Sequence, residues 1–380
     1  MNHGPNYLHA HPGNLFGGIE SVLVTLARHG REALTHRFAL CFGGRLADEL
    51  AACGAPVTQL GPARLSRPWT VTRVRQALME ELTRQRPAVV LCHSPWSAAT
   101  FGPAVRNARV PLALWLHGPP SRTSWLDRFA ARRQPDVLLC NSNYTAERAG
   151  ALFKGTPHVV YPPVSPPSPA VDRAAVRPAL RSALGALPGE TVILQVSRME
   201  PWKGHRLLLA ALGQLQDRAG WTCWVVGGAQ RPEEARYLDE LREAARHLGV
   251  ERRTRFLGER RDVPHLMAAA DLFCQPNLEP EPFGLVFVEA LYAGLPVVAT
   301  SLGGAREIVA PECGVLVGHE DALELAHALR ALMDDPGQRA ALGSAGPARA
   351  RTLCDPGHQV TRLAQVLAGA GRIEFAAPGT

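Results

Sequence analysis

The sequence predicts an α/β protein built from two doubly wound domains. Three observations carry that prediction. Short apolar runs alternate with longer amphipathic stretches from end to end. The runs are continuously apolar, as strands of a parallel sheet covered on both faces are. A proline-rich segment then separates two complete strand–helix series.

The first series opens weakly, since only residues 7–10 can serve as its first strand. Clearer strands follow at 37–42, 88–92, 112–116, 137–140 and 159–161; Val89-Val90-Leu91-Cys92 and Val137-Leu138-Leu139-Cys140 are typical. Amphipathic stretches at 19–29 and 69–85 read as helices. The second series has strands at 192–196, 222–226, 255–257, 272–275, 296–299 and 314–317, with helices at 207–218, 233–248 and 321–334. Between the series, Pro162-Pro163, Pro166-Pro167 and Pro169 make a stiff extended segment, followed by a short Ala/Leu/Arg helix. The expected division is a first domain over 1–162, a linker over 163–190, a second domain over 191–357, and a C-terminal helix and frayed tail over 358–380 that return to the first domain. Open parallel sheets bind ligands at the carboxyl ends of their strands. Two such ends facing across a cleft would enclose one substrate.

Composition narrows the function classes. Of 380 residues, 46% are hydrophobic and 20% charged, which excludes a disordered or fibrous chain. No apolar run reaches the ~18–20 residues of a membrane-spanning helix. Residues 1–14 lack a basic region followed by an apolar one, so no secretory signal is expected. The net charge of +7 suits an anionic ligand without calling for nucleic acid, and no RNA-binding signature or zinc-finger spacing occurs. The eight cysteines form no close pairs. They read as reduced core residues of a cytoplasmic protein, with no metal among their roles. Lysine occurs only at Lys154 and Lys203 in a chain that otherwise uses arginine.

The chemistry-bearing residues concentrate in the second half. The strand at 192–196 runs into Ser197-Arg198, and Lys203-Gly204-His205 follows. Two cations at a sheet's carboxyl edge suit phosphate oxygens. Gly227-Gly228 ends the next strand, either as a plain turn or as a place where backbone approaches a ligand. The stretch from Asn277 holds Glu281, Phe283, Gly284, Leu285, Val286 and Glu289. A helix is expected from Gly284 to about residue 293, with unpaired N–H groups at its start. Glu289 lies in that otherwise apolar helix. Such a carboxylate needs hydrogen-bond donors, either vicinal ribose hydroxyls or a structural arginine.

These residues carry a resemblance. Gly17-Gly18-Ile19-Glu20, Arg198 with Lys203, Glu281 and Glu289 with seven residues between them, and Gly303-Gly304 resemble the retaining glycosyltransferases of family 4. The likeness runs from Gly17 to about Val317. It implies the GT-B fold, two Rossmann-like domains facing a cleft, and transfer of a sugar from a nucleoside-diphosphate donor to an acceptor hydroxyl. It implies that Arg198 and Lys203 hold the diphosphate, that Glu289 binds the ribose, and that Glu281 sits by the sugar. Gly228, Phe283, Gly284, Leu285 and Val286 would line the donor, the last three through backbone N–H groups. Gly17 and Gly18 would turn the first helix toward diphosphate and acceptor. His117, in Trp115-Leu116-His117-Gly118, matches the family's histidine near the reacting sugar, although an ordinary loop histidine fits the bare sequence. One departure is Pro282, where the family often has glycine; proline removes an N–H donor and fixes the loop.

No Asp-x-Asp occurs, so fixed cations rather than a metal are expected to neutralise the leaving group, with no further cofactor. The acceptor, a saccharide, a lipid-linked molecule or a small molecule, is expected on the first domain near His93, Trp96 and Trp125; both tryptophans either stack on a sugar or pack. Ser142 and Asn143 read as helix caps. Trp125, Leu126 and Phe129 with Arg122, Arg128, Arg132 and Arg133 form a short basic, aromatic segment that suits either inward packing or weak contact with an anionic bilayer. Competing functions are a sugar-nucleotide epimerase, a phosphorylase, or an inactive partner subunit.

Overall fold

The computed structural model describes residues 5–30, 35–168 and 170–370. Pro169 and the tail beyond residue 370 lie outside the described residues. Two compact units form. One holds the chain up to Val164 together with the stretch from Cys354, and the other holds Ser165–Leu353.

The first unit is a seven-stranded parallel sheet in the order β3-β2-β1-β4-β5-β6-β7. Its strands are β1 (Asn6–His11), β2 (Thr35–Leu40), β3 (Val57–Gln59), β4 (Val89–Cys92), β5 (Leu112–Leu116), β6 (Val137–Cys140) and β7 (His158–Val159). The helices between them are α1 (Gly18–His29), α2 (Arg45–Ala52), α3 (Pro68–Gln85), α4 (Pro95–Asn107), α5 (Trp125–Arg132) and α6 (Asn143–Ala149). β4, β5 and β6 are buried at every position, which explains their unbroken apolar runs. Val71, Val74, Leu78 and Leu82 line the buried side of α3. Burying each stabilises the unit by roughly 1.5–3 kcal/mol. Ser142 caps α6 by accepting from the Thr145 N–H at 3.0 Å, and Asn143 opens the helix.

The second unit is a six-stranded parallel sheet in the order β10-β9-β8-β11-β12-β13. It begins with α7 (Arg173–Ala183) and continues through β8 (Thr191–Val196), α8 (His205–Gly213), β9 (Trp221–Val226), α9 (Pro232–His247), β10 (Thr254–Gly258) and α10 (Val263–Ala269). Then come β11 (Leu272–Gln275), α11 (Leu285–Tyr292), β12 (Val297–Thr300), α12 (Ala305–Ile308), β13 (Gly314–Val317), α13 (Ala322–Asp334) and α14 (Pro336–Cys354). The chain ends its described course in α15 (Pro356–Ala370), which packs against α1 of the first unit.

Residues 163–190, read from sequence as a linker, supply α7 to the second unit. Arg173, Arg177 and Arg181, one helical turn apart, explain why. Arg181 reaches the Asp271 carboxylate at 2.9 Å, Arg177 pairs with the same carboxylate, and Arg173 donates to the Ala270 carbonyl at 2.8 Å. Asp271 also accepts from the Val192 N–H at 2.7 Å, so one carboxylate fastens α7 to the starts of β8 and β11.

Both sheets reverse their winding between a first and a fourth strand, β1 against β4 and β8 against β11. Ligands collect at that switch point, beyond the carboxyl ends of the strands. All eight cysteines are buried, and none is joined in a disulfide among the described residues.

Candidate functional site

In the second unit, the loops after β8 and β11 meet at the switch point. The loop after β8 carries Arg198, then a 3-10 turn at Pro201–Lys203. Gln195 holds that turn by donating to the Lys203 carbonyl at 2.8 Å. The Lys203 ammonium lies 2.5 Å from Glu281 Oε2, and both side chains are largely buried. It also sits 3.8 Å above the Trp202 ring. Asn277 Nδ2 donates to the same Glu281 oxygen at 3.0 Å, and Gln275 donates to Asn277 Oδ1 at 3.1 Å. Sequence reasoning gave Lys203 and Glu281 separate duties and a common surface loop to the two cations. The structure instead joins Lys203 to Glu281 in one ion pair. Arg198 is the surface residue: its side chain is half-exposed and pairs with Glu200 at 2.9 Å.

The loop carrying Glu281 is held by the two glycines before α12. Gly304 N–H donates to the Glu281 carbonyl at 2.8 Å. A Cβ on Gly303 would lie 2.3 Å from the Glu281 carbonyl oxygen, and one on Gly304 would lie 2.3 Å from that of Phe283. Both approaches are closer than any side chain tolerates, so the glycine pair is a seat for this loop. The Phe283 ring is buried, so its side chain anchors the loop rather than lining a donor. Gly284, Leu285 and Val286 open α11, where helix geometry provides no acceptor for their N–H groups. Glu289 sits on α11 with no hydrogen-bond or ion-pair partner among the described residues, and burial raises its carboxyl pKa. The arginine partner of the structural reading is therefore missing. Gly227 and Gly228 end β9; a Cβ on Gly227 would meet the Ser197 carbonyl oxygen at 1.8 Å, so that glycine lets the loop after β8 pass.

In the first unit, Gly17 and Gly18 are exposed at the start of α1, beyond β1. Gly17 N–H is already taken by Glu20 Oε2 at 2.8 Å. The other Glu20 oxygen bonds His11 Nε2 at 2.8 Å. Burial raises the Glu20 pKa, but His11 and the Gly17 N–H outweigh it and leave the carboxyl below its ordinary value. His117 follows β5, half-buried, with its ring stacked on Trp115 at 5.2 Å. Burial, aided by His11 and opposed by Glu20, pushes its pKa down to about 3.

Of the three expected acceptor contacts, Trp125 is exposed, Trp96 is half-buried and His93 is buried. His93 is wholly buried, with one nitrogen on His9 and the other on His117, so it meets no acceptor. Trp96 packs edge-on against Phe101 at 6.0 Å in the core. Trp125 is 56% exposed on α5.

Sequence reasoning missed Asn277 as the support of Glu281, and His9, His11 and His36 as partners of the site histidines. Histidines at positions 9 and 11 of a strand share one face. That was the available signal.

Both units are similar to those of known proteins. The model for Glycosyltransferase Family 4 matches residues 16–166, and that for Glycosyl transferases group 1 matches residues 176–349. A GDP-mannose-dependent alpha-(1-6)-phosphatidylinositol monomannoside mannosyltransferase of Mycolicibacterium smegmatis is 31% identical, over 71% of this chain and 74% of that protein. The chain belongs to glycosyltransferase family 4. Another relative is the GDP-mannose-dependent monoacylated alpha-(1-6)-phosphatidylinositol monomannoside mannosyltransferase of Corynebacterium glutamicum, 35% identical over 56% of this chain. The match spans little more than half of that relative, 57% of its length. Among solved structures, Anabaena HepE in complex with UDP and glucose is 27% identical with a TM-score of 0.82, covering 96% of this chain and 99% of that one. A glycosyltransferase from Rickettsia africae shares the fold at 19% identity, with a TM-score of 0.85, over 98% of this chain and 100% of that one. The family's GT-B fold is the one described above.

Proposed function

We propose that the protein moves a hexosyl group from a nucleoside-diphosphate sugar to an acceptor hydroxyl, with retention at the anomeric carbon and without a metal ion. The observation that carries this reading is the set at the β8/β11 switch point. There Lys203 is held by Glu281, Arg198 stands exposed on the same loop, and Glu289 has no partner among the described residues.

In this reading Arg198 and Lys203 offset the charge that develops on the departing diphosphate. Glu281 and the Trp202 ring hold the Lys203 ammonium in advance, so little reorganisation accompanies reaction. The Gly284, Leu285 and Val286 amides meet phosphate or sugar oxygens. Glu289 accepts from the ribose hydroxyls. In the same reading Gly228 leaves room beside the donor, Gly17 and Gly18 serve diphosphate and acceptor, and His117 serves the reacting sugar. Among the described residues no cluster of His, Cys, Asp or Glu suits a metal ion.

For the acceptor we propose a sugar or inositol hydroxyl, lipid-linked or soluble. The names of the mannosyltransferase relatives support the lipid-linked form. Exposed Trp125, with Arg128 and Arg132 on the same helix, supports weak peripheral contact with anionic bilayers from the cytoplasmic side. Roughly 1 kcal/mol per basic residue makes such contact salt-sensitive. Among the described residues no helix is long and apolar enough to cross a membrane.

The test is donor consumption with UDP-, GDP- and ADP-sugars in excess EDTA, with and without polyol acceptors, and the anomeric configuration of any product read by NMR. Acceptor-dependent release of the nucleoside diphosphate with a retained anomer supports the reading. Conversion of the donor alone, or a requirement for magnesium or manganese, overturns it.

A further inference from the structure

Four imidazoles form an unbroken hydrogen-bonded chain across the first unit. They stand on four adjacent strands: His36 on β2, His9 on β1, His93 just beyond β4 and His117 just beyond β5. His36 Nδ1 lies 2.8 Å from His9 Nε2. His9 Nδ1 lies 2.8 Å from His93 Nε2. His93 Nδ1 lies 3.2 Å from His117 Nε2. The rings of His9 and His93 stack on one another, as do those of His93 and His117. The two inner rings are fully buried and spend both nitrogens on neighbours. At one end, His36 Nε2 is buried without a partner among the described residues. Its ring lines a pocket of about 440 Å3 with Gly30, Thr35 and Pro56.

Every link joins an Nδ1 to an Nε2. A neutral imidazole carries one N–H, so it donates on one side and accepts on the other. The tautomer of one ring therefore dictates the next. The whole chain is either Nδ1–H at all four rings or Nε2–H at all four. In the first state His117 Nδ1 presents a proton; in the second it presents a lone pair.

We propose that His36, His9 and His93 are a proton relay ending on His117, which fixes whether His117 Nδ1 donates or accepts. Starting from the Nε2–H state, His117 Nδ1 takes a proton from a hydroxyl at the sheet edge. His117 passes its Nε2 proton to His93 Nδ1, His93 passes its own to His9, and His9 passes its own to His36. His36 releases its Nε2 proton when water from the neighbouring pocket reaches that nitrogen, which Gly30 covers in this structure. One proton enters, one leaves, all four rings end neutral as Nδ1–H, and no electrons change hands. The same steps run backwards to reset the chain.

Physical chemistry gives the relay a reason. Burial holds His36 down to about 4 and His117 to about 3, and holds His9 and His93 well below the ordinary imidazole range. A ring so buried does not retain a second proton at neutral pH, but it does hand one on. His11 and Glu20, beside the chain, hydrogen-bond each other instead, and His11 meets His93 only edge-on.

The relay rests on the assignment of His117 to the transfer site, and its test needs no substrate, so the two fail separately. The full-length protein, labelled with 15N-histidine, is examined by long-range 15N NMR, which reads the protonation of each ring nitrogen. The expected result at pH 7 is four neutral rings with one common tautomer fraction. In His36→Phe, the fractions at His9, His93 and His117 should move together by the same amount, three strands away included. Unequal fractions in the wild type overturn the proposal, as does an imidazolium among the four. So does a His117 fraction that stays fixed while that of His9 changes. The wild-type measurement decides alone if the variant does not fold.

Discussion

Glu289 is a carboxylate with no partner among the described residues, set in a mostly apolar helix. Burial disfavours its charge, so the fold gains nothing from it, and Glu289→Gln should leave the melting temperature unchanged or higher. In the proposed reading the same change takes an acceptor oxygen and the negative charge from a ribose contact, and should weaken nucleotide binding by about 10- to 100-fold. Calorimetric titration of the nucleoside diphosphate beside a melting curve separates this from a structural role, which predicts the reverse pattern. The two cations should also part company. Arg198 is half-exposed with Glu200 as its neighbour, so Arg198→Ala should lower the transfer rate by roughly 30- to 1000-fold with stability nearly intact. Lys203→Ala should lower the rate comparably and also cost about 1–3 kcal/mol of stability, because Glu281 loses its cation in a largely buried position. Equal stability of the two variants would show that the ion pair contributes nothing.

At the scale of elements, the loop from Glu281 to Gly284 depends on what lies beneath it. Gly304→Ala places a Cβ 2.3 Å from the Phe283 carbonyl oxygen, and backbone cannot retreat as a flexible side chain does. The variant should fold with reduced stability and lose most donor affinity, as the Glu281 loop shifts off its seat; unchanged affinity would mean the loop's placement is irrelevant to the donor. This dependence on tertiary seating also explains what sequence disclosed and what it hid. β5, β6 and β11 fall where their apolar runs put them, because a strand buried on both faces has no choice of register. β3 carried no signal, since it is three residues at the sheet's edge and none is buried. The helix expected over 207–218 stops at Gly213. Arg198 with Lys203, and Glu281 with Glu289, stood out in the sequence because each pair lies within one short stretch. The Lys203–Glu281 pair was not, for it spans 78 residues and needs two loops to meet. The inner histidines were hidden for the same reason: His9 and His93 are 84 residues apart.

For the whole molecule, buried neutral histidines set the acid limit of stability. Their folded pKa values are lowered, chiefly by burial: His36 and His205 to about 4, His117 to about 3, and His9 and His93 well below the ordinary imidazole range. The sign follows directly. Below about 6.5 the unfolded chain binds protons that the native state refuses, so stability falls as pH falls, until the native values are reached. Each such histidine contributes about 1.4 kcal/mol per pH unit in that window. Melting temperature should therefore drop steeply between pH 6.5 and 4.5, and His36→Phe should make the drop shallower by about one proton's worth; a flat profile would mean these rings are protonated in the native state. The central claim, that the second unit of a family 4 chain holds a nucleoside-diphosphate donor with fixed cations, is tested most directly by equilibrium dialysis. UDP, GDP and ADP are dialysed separately against wild type and Arg198→Ala in excess EDTA. The account predicts that at least one of them binds at one site per chain without metal, and at least tenfold more weakly in the variant. Binding of none of the three, or equal affinity in both proteins, would contradict it.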